Sequence, residues 1–304
     1  MGKIKTVHLI GLGAVGATYA SLFYRWNPKE IKIILDEERI PRYRQGTLIN
    51  GVNYPFELVS PKFGDDPAEL ILVVVKGHHL QRAIELITPL VGRDTLILSL
   101  LNGITSEEEL SQAFGRDKVL HGFCVATDAG REGNVIQFKN TGRIVFGEHY
   151  SEVIGKAAFV QAFFDEVGIP YTMPPDIRRE MWWKFMMNVG INQTSAVLGA
   201  SYGVYTKVLE ARELLASACR EVLPLAAKEG ISLSEADIEE YLRIFSTLSP
   251  SGKTSMLQDI EAGRKTEVES FGLAVITMGK KHGLPTPINE MLYRMIRVLE
   301  ARAL

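Results

Sequence analysis

The sequence predicts an α/β protein in which a doubly wound parallel sheet is followed by a mostly α-helical second domain. Three observations carry that expectation. The first half contains unbroken apolar runs of strand length, a glycine triad directly follows the first of them, and long helical periodicities take over from about Asp176. Strands that are apolar at every position suit a sheet covered on both faces, with helices as crossovers.

In chain order, "TVHLIGLG" at 6–13 is the first strand and its turn, and "AVGATYASLFYRW" the first helix. "IKIIL" at 31–35, "LILVVV" at 70–75 and "TLILSL" at 95–100 are further buried strands. Between the first two of these, "TLINGVNYPFELV" carries Asn50-Gly51 between extended segments and predicts a hairpin, read as an added flap. Residues 117–147 are strand-rich, and "SEVIGKAAFVQAFFDEVG" at 151–168 has the pattern of a helix. Pro174 and Pro175 coincide with the change of period, so a dinucleotide-binding domain is expected over 1–175 and a helical substrate and dimerisation domain over 176–304. Two cores also suit the length, because single cores stop growing near ~250–300 residues.

With 46% hydrophobic and 23% charged residues the chain has an ordinary globular composition, and a formal net charge of -2 gives no electrostatic reason to bind nucleic acid or an anionic membrane. A small-molecule partner is expected instead. Cys124 and Cys219 stand far apart, outside any disulfide or zinc spacing, which suits a reducing cytoplasm. No apolar run reaches the ~18–20 residues that cross a bilayer, and the start lacks a separate apolar segment of the secretory kind.

Gly11, Gly13 and Gly16 in "GLGAVG" form G-x-G-x-x-G between strand and helix, the fingerprint of a Rossmann-type dinucleotide site. The first glycine allows the tight turn, the second lets backbone approach a pyrophosphate, and the third lets helix pack on strand. Asp36, closing the second strand, stands where a carboxylate accepts hydrogen bonds from the adenosine ribose. It repels a 2′-phosphate, which favours NAD(H), although Arg39, Arg42 and Arg44 follow closely. The next carboxyl-end loops begin with Lys76-Gly77-His78 and Leu101-Asn102-Gly103; Lys76 offers charge there, and Asn102 both a donor and an acceptor.

In "MWWKFMMNVGINQTSAV", residues 181–197, helical spacing puts Lys184, Asn188 and Asn192 on one face among aromatic and methionine side chains. Hydride delivery to a carbonyl builds negative charge on oxygen, and an ammonium such as that of Lys184 stabilises and protonates it. The two amides suit a substrate carboxylate and hydroxyl, and Glu267 in "GRKTEVES" is a carboxylate partner for Lys184. Thr266 with Glu269 predicts a capping box there.

Together "GLGAVG", "VVVKG", "LLNGI", "WWKFMMNVGINQTSAVLG" and "SMLQDIEAGRKTEVESFGLAVITMGKKHGLPTPIN" resemble the ketopantoate reductase (2-dehydropantoate 2-reductase) family over nearly the whole chain. The resemblance implies a Rossmann domain followed by a helical domain, a possible homodimer, and reduction of 2-dehydropantoate to (R)-pantoate in pantothenate biosynthesis, usually with NADP(H). It implies Lys184 as the catalytic lysine, Glu267 as the glutamate near the substrate, and Asn102 as the asparagine of a Gln-Asn-Gly motif. Asn188, Asn192 and Ser255 match substrate-binding positions and Lys76 a cofactor-side lysine. Asp36 departs from the family's arginine, Leu101 from its glutamine and Thr105 from a glycine, which bear on cofactor choice and on the 2-oxo acid.

Other readings are an NAD-dependent D-2-hydroxyacid dehydrogenase similar to this family, acting on another branched or aromatic 2-oxo acid, and a non-catalytic dinucleotide sensor. The sensor would need the glycine loop but not the polar set of Lys184, Asn188, Asn192, Ser255, Glu267 and Asn102. Gly199-Ala-Ser201-Tyr-Gly203 spells a nucleophile elbow but follows a helix, "SGKT" at 251–254 is expected to start a helix, and His78-His79 are expected to point apart without forming a metal site.

Overall fold

A computed structural model describes residues 2–62, 65–133 and 135–302. The chain divides into two compact units, Met1–Ile177 and Arg178–Leu304.

In the first unit, β1 (Val7–Ile10) leads into α1 (Ala14–Trp26), and β2 (Ile31–Ile34) into a 3-10 turn and the short α2 (Ile40–Tyr43). The hairpin follows as β3 (Thr47–Ile49) and β4 (Val52–Tyr54), then β5 (Glu57–Val59) and β6 (Leu70–Val73). The unit continues through α3 (Leu80–Ile87), β7 (Leu96–Ser99), α4 (Ser106–Phe114) and β8 (Val119–Val125). It closes with β9 (Gly130–Glu132), β10 (Val135–Gln137), β11 (Arg143–Gly147), α5 (Ala157–Val167) and β12 (Tyr171–Thr172).

The main sheet runs β12-β11-β8-β7-β6-β1-β2-β5. Its pairs from β5 to β8 are all parallel, whereas β11 is antiparallel to β8. In that parallel set chain order reverses between β1 and β6, the switch point at which doubly wound sheets bind dinucleotides. Alternate side chains explain why both faces need covering. Val7, Leu9, Leu70, Leu72, Leu96 and Leu98 enter one core cluster with Ala17, Ala20 and Phe163. Ile10, Ile71, Val73 and Ile97 enter another with Leu80, Ala83 and Leu110. Each fully buried aliphatic side chain of this kind contributes about 1.5–3 kcal/mol.

Asn50 and Gly51 both have positive φ, 47° and 79°, as a two-residue type I′ hairpin requires. The expected flap is only partly separate, however. β3 and β4 join β10 and β9 in a second, four-stranded sheet, whereas β5, from the same "TLINGVNYPFELV" stretch, pairs in parallel with β2 and becomes the edge of the main sheet. Short strands such as "ELV" acquire their role from a distant partner, which period alone does not encode.

The regular structure among the second unit's described residues is all helical: α6 (Ile177–Leu198), α7 (Tyr202–Lys207), α8 (Leu209–Arg220), α9 (Val222–Lys228), α10 (Glu235–Phe245), α11 (Ser255–Glu261), α12 (Ala274–His282) and α13 (Pro287–Arg302). A π-helical turn, Glu269–Leu273, precedes α12. The buried polar run "NQTS" at 192–195 ties α6 to its neighbours. Asn192 Oδ1 accepts from the Met256 amide at 3.3 Å, and Gln193 Nε2 donates to Asn289 Oδ1 at 2.8 Å. The Thr194 and Tyr205 hydroxyls bond at 2.9 Å, and those of Ser195 and Thr254 at 2.6 Å. Buried polar groups are costly unless paired, so these pairs fix where each helix docks. Gly190 serves a close approach: a Cβ there would stand 2.5 Å from Cys219 Sγ. Burial pushes the Cys219 thiol up to about 12, which makes it a packing group and not a nucleophile.

Candidate active site

The carboxyl ends of the parallel strands gather the first unit's polar residues. Gly11 takes φ 107°, and a Cβ there would stand 2.4 Å from the Val74 carbonyl oxygen, so only glycine fits between β1 and β6. A Cβ on Gly16 would lie 1.9 Å from the Gly11 oxygen. At Gly13 the same construction meets nothing within 4 Å, and Gly13 is the N-cap of the 13-residue α1, with no acidic residue in its first turn. A closed first glycine, an open second one and a helix start with no side-chain cap fit a pyrophosphate group, held by backbone N–H donors and the helix dipole.

Asp36 follows β2, as expected, and is already engaged: Arg82 of α3 donates to its Oδ1 from Nε at 2.7 Å and from Nη2 at 2.5 Å. Lys76 caps the 3-10 turn Gly77–His79 after β6 and is half-buried, and Asn102, also half-buried, follows β7 beside Gly103 with φ 98°. Leu101 is 4% exposed and donates its amide to Ser99 Oγ at 3.3 Å, so the residue in the glutamine position faces the core. The His78 and His79 rings do not point apart: their centroids are 4.2 Å from each other. Among the described residues no group of three or more His, Cys, Asp or Glu is placed to hold a metal.

Sequence reasoning missed Arg131. From β9 it donates to the Leu12 carbonyl inside the glycine loop at 2.7 Å and to the Tyr43 hydroxyl at 3.0 Å. Burial raises the Tyr43 phenol, but hydrogen bonds and charge from Arg131 and Arg39 outweigh it and lower the pKa. Arg131 lies 119 residues from Leu12, and no spacing rule connects them.

In the second unit, Lys184, Asn188 and Asn192 occupy successive turns of α6, with Lys184 and Asn188 half-buried and Asn192 buried. Trp182, Phe185 and Met186 are buried beside them. Asn192 Nδ2 donates to Asn188 Oδ1 at 3.1 Å, and Ser255 Oγ donates to Asn192 Oδ1 at 3.3 Å. The structure thus joins Asn188, Asn192 and Ser255 in one hydrogen-bonded row. Ser255 opens α11, whose N-cap Thr254 accepts from the Leu257 amide, so "SGKT" leads into a helix. Ser201 is the N-cap of α7, and Gly199 with φ 59° ends α6, which accounts for both without a nucleophile elbow.

Glu267 is half-buried at the entrance to the π-turn, its carbonyl accepting from the Ser270 amide at 2.9 Å. The expected capping box is not formed. Thr266 Oγ1 accepts from the Val268 amide, but Glu300 of α13, not Glu269, takes the Thr266 amide at 2.8 Å, while Glu269 pairs with Lys265 at 3.0 Å. A carboxylate from another helix competes successfully with the local one.

Similarity to known proteins extends over both parts of the chain. The family description "Ketopantoate reductase PanE/ApbA" matches residues 7–151, and its C-terminal counterpart matches 176–300. A 2-dehydropantoate 2-reductase of Aquifex aeolicus is 24% identical over 305 residues, covering 96% of each chain. Among solved structures, D-mandelate dehydrogenase in complex with NADH superposes with a TM-score of 0.88 at 22% identity, over 98% of this chain and 100% of that one. A dimeric ketopantoate reductase of Staphylococcus aureus superposes with a TM-score of 0.80 at 22% identity, over 98% and 99%. At these identities the structural likenesses establish the Rossmann domain and helical domain as a shared fold. With both of its parts matched in order along the chain, the protein belongs to the ketopantoate reductase family.

Proposed function

We propose that this protein reduces 2-dehydropantoate to (R)-pantoate, with Lys184 as the proton donor. The observation that carries the reading is the Asn188–Asn192–Ser255 row, which begins one turn along α6 from Lys184. Such a row offers directional hydrogen bonds to the carboxylate and hydroxyl of a small branched acid, next to an ammonium that can both neutralise and protonate a forming alkoxide.

A nicotinamide bound in the first unit supplies the hydride; Gly11, Gly13 and Gly16 would hold its pyrophosphate, Asp36 its adenosine ribose and Lys76 its charge. Asn102 offers a donor and an acceptor to the substrate or the carboxamide. Lys184 stabilises negative charge on the substrate oxygen and delivers a proton to it, and Glu267 pairs with Lys184 or with a substrate hydroxyl. NADH is the preferred reductant in this reading, because the Asp36 carboxylate suits a free 2′-hydroxyl. Further parts of it are a cytoplasmic location, in keeping with Cys124 and Cys219 being buried outside any disulfide, and a homodimer through the helical unit. Among the described residues no helix is long and apolar enough to cross a membrane.

A second reading, an NAD-dependent D-2-hydroxyacid dehydrogenase for another branched or aromatic 2-oxo acid, is favoured by Asp36 and by the buried Leu101 in the glutamine position. A panel of ketopantoate, 2-oxoisocaproate and phenylglyoxylate, each assayed with NADH and NADPH, separates the two. Highest kcat/KM on ketopantoate supports the first; highest on phenylglyoxylate or 2-oxoisocaproate replaces it. Tight cofactor binding with no oxidation on any of them would leave the sensor.

A further inference from the structure

Where β2 ends, a cavity of about 610 Å³ is lined by Asp36, Glu37 and Glu38 and by Arg39, Lys62 and Arg82. Three acids face three bases, so its formal charge balances. The arrangement within it is not symmetrical. Arg82 is the only one of the three bases joined to Asp36: its Nε and Nη2 both donate to Oδ1, while its Nη1 donates to Glu85 Oε2 at 2.7 Å. Lys62 pairs instead with Glu37 at 3.5 Å, and Arg39 acts on the Tyr43 phenol, helping to lower its pKa. Because both contacts to Asp36 fall on one oxygen, Oδ2 keeps its acceptor capacity for a ribose hydroxyl. Arg82 remains more than half exposed.

We propose that Arg82 reads the 2′ position of the adenosine ribose, so that this cavity accepts both NADH and NADPH. With a free 2′-hydroxyl, Arg82 stays on Asp36 Oδ1 and Oδ2 accepts from the ribose. With a 2′-phosphate, the guanidinium leaves Oδ1 and binds the phosphate oxygens bidentately, which also offsets the repulsion between phosphate and Asp36. An unpaired carboxylate at this place would reject the 2′-phosphate; a carboxylate already carrying an arginine does so much less. This inference rests on the reading of the first unit as a dinucleotide site, but on nothing about the 2-oxo acid.

The test is binding of 2′,5′-ADP and 5′-AMP to the full-length protein by titration calorimetry, which requires no turnover. Arg82→Ala should weaken 2′,5′-ADP about tenfold or more and 5′-AMP by less than about threefold, as loss of a charge-assisted hydrogen bond predicts. Asp36→Ala should tighten 2′,5′-ADP in both backgrounds, and by more in the Arg82→Ala background than with Arg82 present, because a carboxylate left unpaired repels the 2′-phosphate most. Equal weakening of both nucleotides by Arg82→Ala, or additive effects in the cycle, overturns the proposal and leaves Arg82 a support for Asp36. Wild-type protein that binds neither fragment nor NADH overturns the dinucleotide reading as well, so the two failures are distinguishable.

Discussion

Asn192 donates its side-chain N–H to Asn188 Oδ1 at 3.1 Å while its own Oδ1 accepts from the Met256 amide. The backbone donor fixes which way the Asn192 amide is turned, because an N–H can meet only the oxygen. Asn192 in turn occupies the acceptor of Asn188, so Asn188 is left with its NH₂ donors for a ligand. Donors, not acceptors, are what a substrate carboxylate needs. Asn188→Asp should therefore raise KM for the preferred 2-oxo acid about ten- to a hundredfold, the worth of a charge-assisted hydrogen bond, with a smaller change in kcat. Steady-state kinetics at saturating cofactor measure this; an unchanged KM would remove Asn188 from carboxylate binding.

Lys184 has the opposite kinetic signature. Its charge matters most as negative charge builds on the substrate oxygen, so Lys184→Ala should lower kcat by about a hundredfold or more while KM moves by only a few-fold. Lys184→Arg keeps a cation but not a proton donor of suitable acidity, and should stay far below wild type. A near-normal kcat in Lys184→Ala would sink the assignment.

What the sequence revealed and what it hid divides along the range of the interactions. The strands, the glycine loop and the Asn50-Gly51 turn were legible because each depends on a few consecutive residues: Gly11 is needed by its φ of 107°, and Asn50-Gly51 by two positive φ values in succession. The helical stripe of Lys184, Asn188 and Asn192 was legible for the same reason. By contrast, the partners that orient those residues lie far along the chain. Arg82 is 46 residues from Asp36, Ser255 is 63 from Asn192 and Glu300 is 34 from Thr266. Such pairs depend on where the fold carries each element, and the Thr266 capping box shows how a local rule yields to a better-placed distant carboxylate.

Cofactor preference should respond to Asp36 in a specific direction. Asp36→Arg removes the acceptor for the ribose hydroxyl, releases Arg82 from Oδ1 and adds a second cation beside it. The ratio of kcat/KM for NADPH over NADH should rise about tenfold or more, since one unit of charge at ~4 Å and an effective dielectric of 20 is worth about 4 kcal/mol before solvent screening. An unchanged or reversed ratio, measured with both reductants on the same 2-oxo acid, would remove Asp36 as the selector.

His8 gives the first unit a calculable acid sensitivity. It sits in the centre of the sheet, 5% exposed, paired in register with Lys32 of β2 and with Ile71 of β6. Burial, and secondarily the Lys32 charge, lower its pKa from 6.5 to about 4. Between those two values the unfolded chain holds a proton that the native imidazole does not. The stability tied to the neutral ring is therefore complete above pH 6.5, declines as pH falls toward 4, and is flat below. At 1.36 kcal/mol per pKa unit the decline amounts to about 3 kcal/mol. His8→Val, which keeps a β-branched strand residue at the position, should flatten the urea-unfolding free energy across this window by about that much relative to wild type, while carboxylates titrate equally in both. Wild-type and variant curves that run parallel from pH 7 to pH 4 would show that the imidazole is protonated in the native sheet.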